Sequence, residues 1–176
     1  MLSPLPVAGK AAAAFVAEQV DAVGAFPPFW LTALERKGSK ELISSKDFPG
    51  AIPDLLVVSQ KLIDEQPEKV QALINTWYDT LDFIEKNPKE AEAIMAERAG
   101  FSADAYEKFK DGTRIFSVED NLEAFSQGDN MKHMPYAAQS MAKFMVDVGF
   151  MKQEDVPDLE KIFDDRFVKA YAEKQQ

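Results

Sequence analysis

The chain has 176 residues, of which 46% are hydrophobic and 28% charged, as in ordinary globular proteins, and its length suits one domain or a large part of a two-lobed protein. Thirty acidic and 20 basic side chains give a net charge of −10, which argues against nucleic acid as a partner, because nucleic-acid binding needs basic surfaces that neutralise phosphates. The absence of cysteine excludes disulfides, thiolate catalysis and cysteine metal sites, and no stretch reaches the roughly 18 apolar residues of a membrane-spanning helix.

The first part of the chain predicts strands between short helices. Residues 10–19, with four consecutive alanines, are typical of a helix that packs closely. Residues 20–26 are short, apolar and β-branched, which predicts a buried strand that the following prolines end. A short helix over 29–36 precedes a possible strand at 41–44. The continuous apolar run within 54–59 then predicts a second strand with both faces covered.

The remainder of the chain is predicted to be helical. Apolar residues recur at helical spacing, and prolines, serines and glycines stand where helices start and stop. The predicted helices cover residues 67–87, 89–98, 102–111, 117–125, 135–148 and 157–173. The pattern over 67–87 is the clearest, with Pro67 at its first turn and Trp77 inside it.

The turn after the first predicted strand carries the candidate ligand-binding residues Phe26, Phe29 and Trp30. Rigid aromatic rings at the mouth of a strand often line small-molecule sites. The alternative is that all three rings belong to the core. Spacing alone does not separate these two interpretations.

Several segments, taken in order, resemble the later half of the substrate-binding proteins of ABC importers of the nitrate, sulfonate and taurine type. The resemblance rests on residues 15–22, the aromatic-Pro-aromatic turn, residues 48–58, the helix with Trp77, and residues 120–125. It implies an α/β fold, namely the later half of a two-lobed periplasmic-binding-protein-like fold with few strands and a helix-rich C-terminal region. On that template residues 1–26 are a remnant of the second lobe, 27–53 cross over beside the hinge, and 54–176 supply a first-lobe strand and the terminal helices.

The resemblance also implies a function and a location. The protein would be the non-catalytic, extracytoplasmic or periplasmic component that captures a small organic or anionic solute at Phe26, Phe29 and Trp30. Its partners would be that solute and an ABC permease in the membrane, and a homodimer or a missing N-terminal half would complete the fold. The identity of the solute stays open.

Neither an active site nor a metal site is predicted. His133 is the only histidine, so we expect a surface or capping role for it, and we expect Met141 and Met145 to pack in the core. No phosphate-binding glycine loop or nucleophile elbow is present, and no cofactor is predicted. Two alternatives remain. One is a helical protein-interaction module, and the other is a relative of the enzyme that makes the thiamine pyrimidine precursor.

Overall fold

The computed structural model describes residues 8–26, 28–100, 102–110 and 113–175, and the regular structure within these ranges is entirely helical. Short 3-10 turns lie at Ser45–Asp47 and Gln153–Asp155. The α-helices of the described residues are α1 (Ala8–Val16), α2 (Phe29–Leu34), α3 (Gln60–Glu65), α4 (Pro67–Lys86), α5 (Pro88–Ala99), α6 (Ala103–Lys110), α7 (Val118–Phe125), α8 (Met134–Asp147) and α9 (Arg166–Lys174). None of these helices is long and apolar enough to cross a bilayer.

The predicted α/β fold is wrong, because the described residues contain no strand and no sheet. The three segments predicted as strands, residues 20–26, 41–44 and 54–59, are irregular up to the N-cap of α3. A strand exists only when another strand pairs with its N–H and C=O groups, and an apolar run cannot specify that partner by itself. Among the described residues, segments 20–26 and 54–59 therefore do not supply the strands expected of half a periplasmic-binding-protein-like fold.

Most of the predicted helices are confirmed. The longest, α4, begins with Pro67 at its first position. The α7 helix starts at a capping box in which the Ser117 hydroxyl accepts the Asp120 N–H and the Asp120 carboxylate accepts the Ser117 N–H. Helix α8 ends before Gly149, whose φ of +77° is the left-handed conformation that glycine adopts at low cost.

One predicted helix is shorter than expected, and one observed helix was not predicted. The helix predicted over 157–173 forms only from Arg166 onward, because aspartate side chains upstream bind nearby backbone groups. The Asp158 carboxylate accepts the Glu160 N–H, and the Asp164 carboxylate accepts the Arg166 N–H. Such local bonds offer the backbone an alternative to the helix. The short α3 helix, capped by the Ser59 hydroxyl, was missed because the apolar run before it indicated a strand.

The contacts divide the chain into two units. In the first, formed by Met1–Ser44 and Ala93–Arg114, α1 packs against α2 and buries Ala12 and Ala33. Arg36 stabilises the end of α1: its Nη1 donates to the carbonyl oxygens of Phe15 and Val20 at 2.9 and 3.0 Å. A cation at the C-terminal end of a helix also complements the helix dipole.

The second unit, Ser45–Glu92 and Ile115–Gln176, holds the larger core. Helices α4 and α7 pack against α9, and Tyr78 of α4 stacks on Tyr171 of α9 with ring centroids 4.7 Å apart. The Gln71 amide donates to the Phe167 carbonyl oxygen at 3.0 Å and joins α4 to the start of α9. The core consists of Tyr78, Val168 and Tyr171, flanked by the partly buried Ile74, Leu81, Val118, Leu122 and Phe125.

Candidate functional site

The aromatic turn brings Phe26 and Phe29 into contact. Their rings meet edge to face with centroids 5.9 Å apart, and Phe26 is 64% exposed. Phe29 and Trp30 form the first turn of α2 and are half-buried. A Cβ atom at Gly9 would lie 3.0 Å from the Phe29 ring, so this ring packs closely on α1. Phe29 therefore holds the two helices together, and Phe26 is the exposed edge of the group. Pro27 lies outside the described residues.

His133 contacts a serine, but this pair does not form a nucleophile and its base. The His133 Nδ1 lies 3.1 Å from the Ser126 Oγ, and the same hydroxyl donates to the Glu123 carbonyl oxygen at 2.7 Å. A hydroxyl that donates to this carbonyl oxygen accepts from Nδ1–H when the ring carries its proton there, and in that arrangement the imidazole does not activate the hydroxyl. A Cβ at Gly128 would lie 2.0 Å from the His133 ring, which shows how tightly this turn folds over the imidazole. His133 precedes α8 at the N-cap position without a side-chain capping bond.

The apolar stripe of α8 departs from the expected core. Residues Met141, Phe144 and Val148 follow one another at three- and four-residue spacing, which places them on one face of the helix. All three are exposed, Phe144 by 60%, and Phe150 just after the helix is 76% exposed. Met145 beside them is half-buried, so the prediction that Met141 packs in the core is wrong. We call Met141, Phe144, Val148 and Phe150 the α8 face.

The end of α8 holds this face in place. The Phe150 N–H donates to the Met145 carbonyl oxygen at 2.8 Å, and the Gly149 N–H donates to that of Val146 at 3.0 Å. These two bonds and the left-handed Gly149 form a Schellman motif, which usually brings the residue after the glycine back over the last turn. In this protein that residue is the exposed Phe150. The α8 face therefore belongs to an ordered helix end.

A cleft in the second unit is lined by the stacked pair Tyr78 and Tyr171 together with residues of α4 and α7. Its volume is about 390 Å³. Its walls are mainly apolar, and three carboxylates also line it, those of Asp82, Glu85 and Glu119. Burial of Tyr78, the neighbouring Tyr171 hydroxyl and the negative charge of Glu119 raise the pKa of Tyr78 from 10.0 to about 12. The Tyr78 hydroxyl is therefore neutral at physiological pH. We call this space the tyrosine cleft.

The sequence analysis missed the tyrosine cleft. Tyr78 and Tyr171 each had the helical spacing of core residues, but no sequence pattern indicated that α4 and α9 would bring the two rings together. A second cavity of about 430 Å³ lies between α7, α8 and the segment before α9, where Phe125, Gln139 and Phe163 are among its lining residues. Neither cavity is lined by Phe26, Phe29 or Trp30. Within the described ranges, no group of histidine and carboxylate side chains is arranged to hold a metal ion.

Comparison with known proteins adds no family to these observations. The resemblance to substrate-binding proteins of ABC importers thus rests only on the segments that suggested it, and the role of Phe26, Phe29 and Trp30 in binding a solute stays a prediction. No protein-family model matches the chain, no curated protein sequence is significantly similar to it, and no solved structure shows significant similarity to its fold.

Proposed function

We propose that the protein is a helical protein-interaction module that acts through the α8 face. The observation that carries this proposal is the exposure of Met141, Phe144, Val148 and Phe150 on one ordered helix end. Isolated exposed apolar residues are common on protein surfaces, but contiguous apolar patches usually mark sites of association. Aromatic residues and methionine are also enriched in such interfaces.

The partner that best fits the α8 face is a second copy of the chain. The midpoint of Met141 and Val148 falls between Phe144 and Met145, so the apolar residues are spaced nearly symmetrically about this point of the helix. Two antiparallel copies related by a twofold axis at this point would place Met141 of each opposite Val148 of the other. An interface of this kind, with the same patch on both subunits, must be self-complementary in shape and charge.

Local charge also favours self-association through this helix. The chain carries a net charge of −10, so two copies repel each other over most of their surfaces. Along α8, however, Lys143 and Asp147 are the only charged residues and their charges cancel. The helix is therefore a neutral, apolar stripe on an acidic protein, and screening by salt should strengthen the association by reducing the repulsion elsewhere.

Sedimentation-velocity analysis over a range of protein and salt concentrations tests the proposal. We expect a monomer–dimer equilibrium that shifts toward dimer at higher salt. Phe144→Glu should weaken the dimer by roughly tenfold or more, because burying one such side chain is worth about 1.5–3 kcal/mol. Ile94→Glu on α5 is the matched control, since Ile94 is similarly exposed but lies on another helix.

A pair of substitutions on α8 itself provides the sharper test. Met141→Glu on the α8 face should weaken the dimer as Phe144→Glu does. Gln139→Glu adds the same charge on the opposite side of α8 and should leave the dimer nearly unchanged. A chain that stays monomeric up to high micromolar concentrations, or a dimer that is insensitive to Phe144→Glu, would overturn the proposal.

The solute-binding function remains a separate hypothesis. Its expected fold is the one that the absence of strands from the described residues contradicts, so only the exposed Phe26 and the half-buried Trp30 support it. The expected ABC permease partner and periplasmic location depend on the same hypothesis.

A further inference from the structure

We propose that the tyrosine cleft binds an organic cation, specifically an alkylammonium group whose charge meets the carboxylates and whose carbon chain lies against the tyrosine rings. This site is separate from the α8 face in its helices and in its chemistry. It is formed by α4, α7 and α9, and its residues are mostly distant in sequence.

The size and the walls of the cleft suit a small molecule. A volume of about 390 Å³ falls within the range of ligand pockets, roughly 300–1,000 Å³. Leu81 and Ile84 of α4, Val118 of α7 and Ile115 before α7 provide apolar walls for a carbon chain. The Tyr78 ring, stacked at 28° on Tyr171, provides a rigid aromatic wall.

Two phenol hydroxyls in the cleft have no hydrogen-bond partner within the described part of the chain. Tyr78 is 5% exposed and Tyr171 is 9% exposed, so both are more than nine-tenths buried. Among the described residues no fully buried side-chain oxygen or nitrogen lacks a partner, so both unpaired hydroxyl oxygens keep some accessible surface, and both residues line the cleft. An ammonium group has three donors and no acceptor, so it can donate to both oxygens.

The charges at the cleft select a cation. No lysine or arginine lines it, but the carboxylates of Asp82, Glu85 and Glu119 do. Asp82 forms an ion pair with Lys86 at 2.7 Å, whereas Glu85 and Glu119 have no ion pair among the described residues. A cation over the face of a tyrosine ring gains further attraction from the ring quadrupole. An anion would instead meet the negative charge of Glu119, which, after burial and Tyr171, helps to raise the pKa of Tyr78.

The alkylammonium group can belong to a free amine or to a lysine side chain of a peptide. Cadaverine represents the free amine, and lysine blocked at both its amino and carboxyl ends represents the side chain. The uncharged diol with the carbon chain of cadaverine is the control for the apolar contribution, and glutarate is the anionic control. Binding is measured by NMR from the shifts of the Tyr78 and Tyr171 ring protons at low and high salt.

We expect saturable binding of cadaverine or of blocked lysine, and weak or undetectable binding of the diol and of glutarate. Whichever of the two amines binds more tightly identifies the source of the group. Equal shifts with the diol would overturn the proposal, because they would show that the charge contributes nothing. Glutarate binding as tight as that of cadaverine would overturn it as well.

Substitutions distinguish binding at the tyrosine cleft from nonspecific electrostatic attraction of a cation to an acidic protein. Glu119→Gln should weaken cadaverine binding about 1.5- to 5-fold, as expected for a partly exposed ion pair. Tyr171→Leu should weaken it about 2- to 30-fold through loss of a cation–π contact. Glu68→Gln, in the first turn of α4 and outside the cleft, is the matched control and should have no effect.

The result that would refute the site is an equal effect of Glu68→Gln and Glu119→Gln, since it would indicate nonspecific attraction. The Glu119→Gln variant keeps the aromatic core intact, so it tests the proposal even if Tyr171→Leu fails to fold. Unfolding temperatures of all variants are measured in parallel, so that a loss of binding is not confused with a loss of structure.

Discussion

The phenol of Tyr78 should make the protein less stable at alkaline pH, and Tyr78→Phe should remove that effect. In the unfolded chain the hydroxyl ionises near its ordinary pKa of 10.0, whereas in the folded chain burial, Tyr171 and Glu119 raise the pKa to about 12. Below about pH 10 the hydroxyl is neutral in both states, and the stabilisation due to the raised pKa is fully present. Between about pH 10 and 12 the unfolded state loses its proton first, so the free energy of unfolding falls as the pH rises.

The magnitude follows from the size of the shift. Two pKa units correspond to at most about 2.7 kcal/mol. Because the hydroxyl oxygen keeps some accessible surface, solvent screening should reduce this to about 1–2 kcal/mol. The hydroxyl has no hydrogen-bond partner among the described residues. Its removal should therefore change the free energy of unfolding near neutral pH by less than about 1 kcal/mol. The Tyr78–Tyr171 ring stack persists in the phenylalanine variant.

Urea unfolding of the wild type and of Tyr78→Phe at about pH 8 and about pH 11 measures the difference. All other ionisable groups are the same in both proteins, so the comparison isolates the contribution of Tyr78, including its coupling to Tyr171. Tyr136→Phe, a change at an exposed tyrosine of α8, is the control and should lose stability as the wild type does. Parallel losses in the wild type and in Tyr78→Phe would show that the shifted pKa of Tyr78 does not cause the alkaline effect.

Two further substitutions test local backbone chemistry. Glu18 follows α1 with a φ of +59°, a left-handed conformation that glycine adopts at lower cost. Glu18→Gly should therefore raise the free energy of unfolding by about 1 kcal/mol, whereas the control Ala17→Gly should lower it by a similar amount. A loss of stability in Glu18→Gly, measured by thermal or urea unfolding, would contradict the left-handed conformation. Ser117→Ala breaks the capping box of α7 and should cost about 0.5–2 kcal/mol, whereas Thr76→Ala, which removes an exposed hydroxyl bonded within α4, should be nearly neutral. Equal effects of the two alanine substitutions in urea unfolding would show that the capping hydroxyl stabilises the protein no more than a hydroxyl inside a helix does.

The aromatic turn illustrates what a local pattern can and cannot predict. The sequence indicated that Phe26, Phe29 and Trp30 would meet at a turn, and Phe26 and Phe29 do form a contact. It did not indicate that α1 would present Gly9 to the Phe29 ring and so occupy one side of the group. Whether an aromatic side chain lines a ligand site or a helix contact depends on the neighbour that folds against it.

The irregular segment over 54–59 shows the same limit for secondary structure. Its apolar run has the composition of a buried strand, but a strand is stable only with a paired neighbour. No strand forms in the described chain, and Leu55, Leu56 and Val57 are exposed. Helices depend less on distant residues, because their hydrogen bonds close within the segment.

The sequence by itself determined most of the helices and the residues at which they begin and end. Proline, glycine and serine do this through the conformation and hydrogen bonds of the adjacent backbone. Tertiary structure alone decided which apolar faces became buried. It paired Tyr78 with Tyr171 and left Phe144 exposed, although all three aromatic residues have helical core spacing. Burial depends on which helices pack together, and that choice is made by contacts between residues far apart in the chain, such as Gln71 with Phe167.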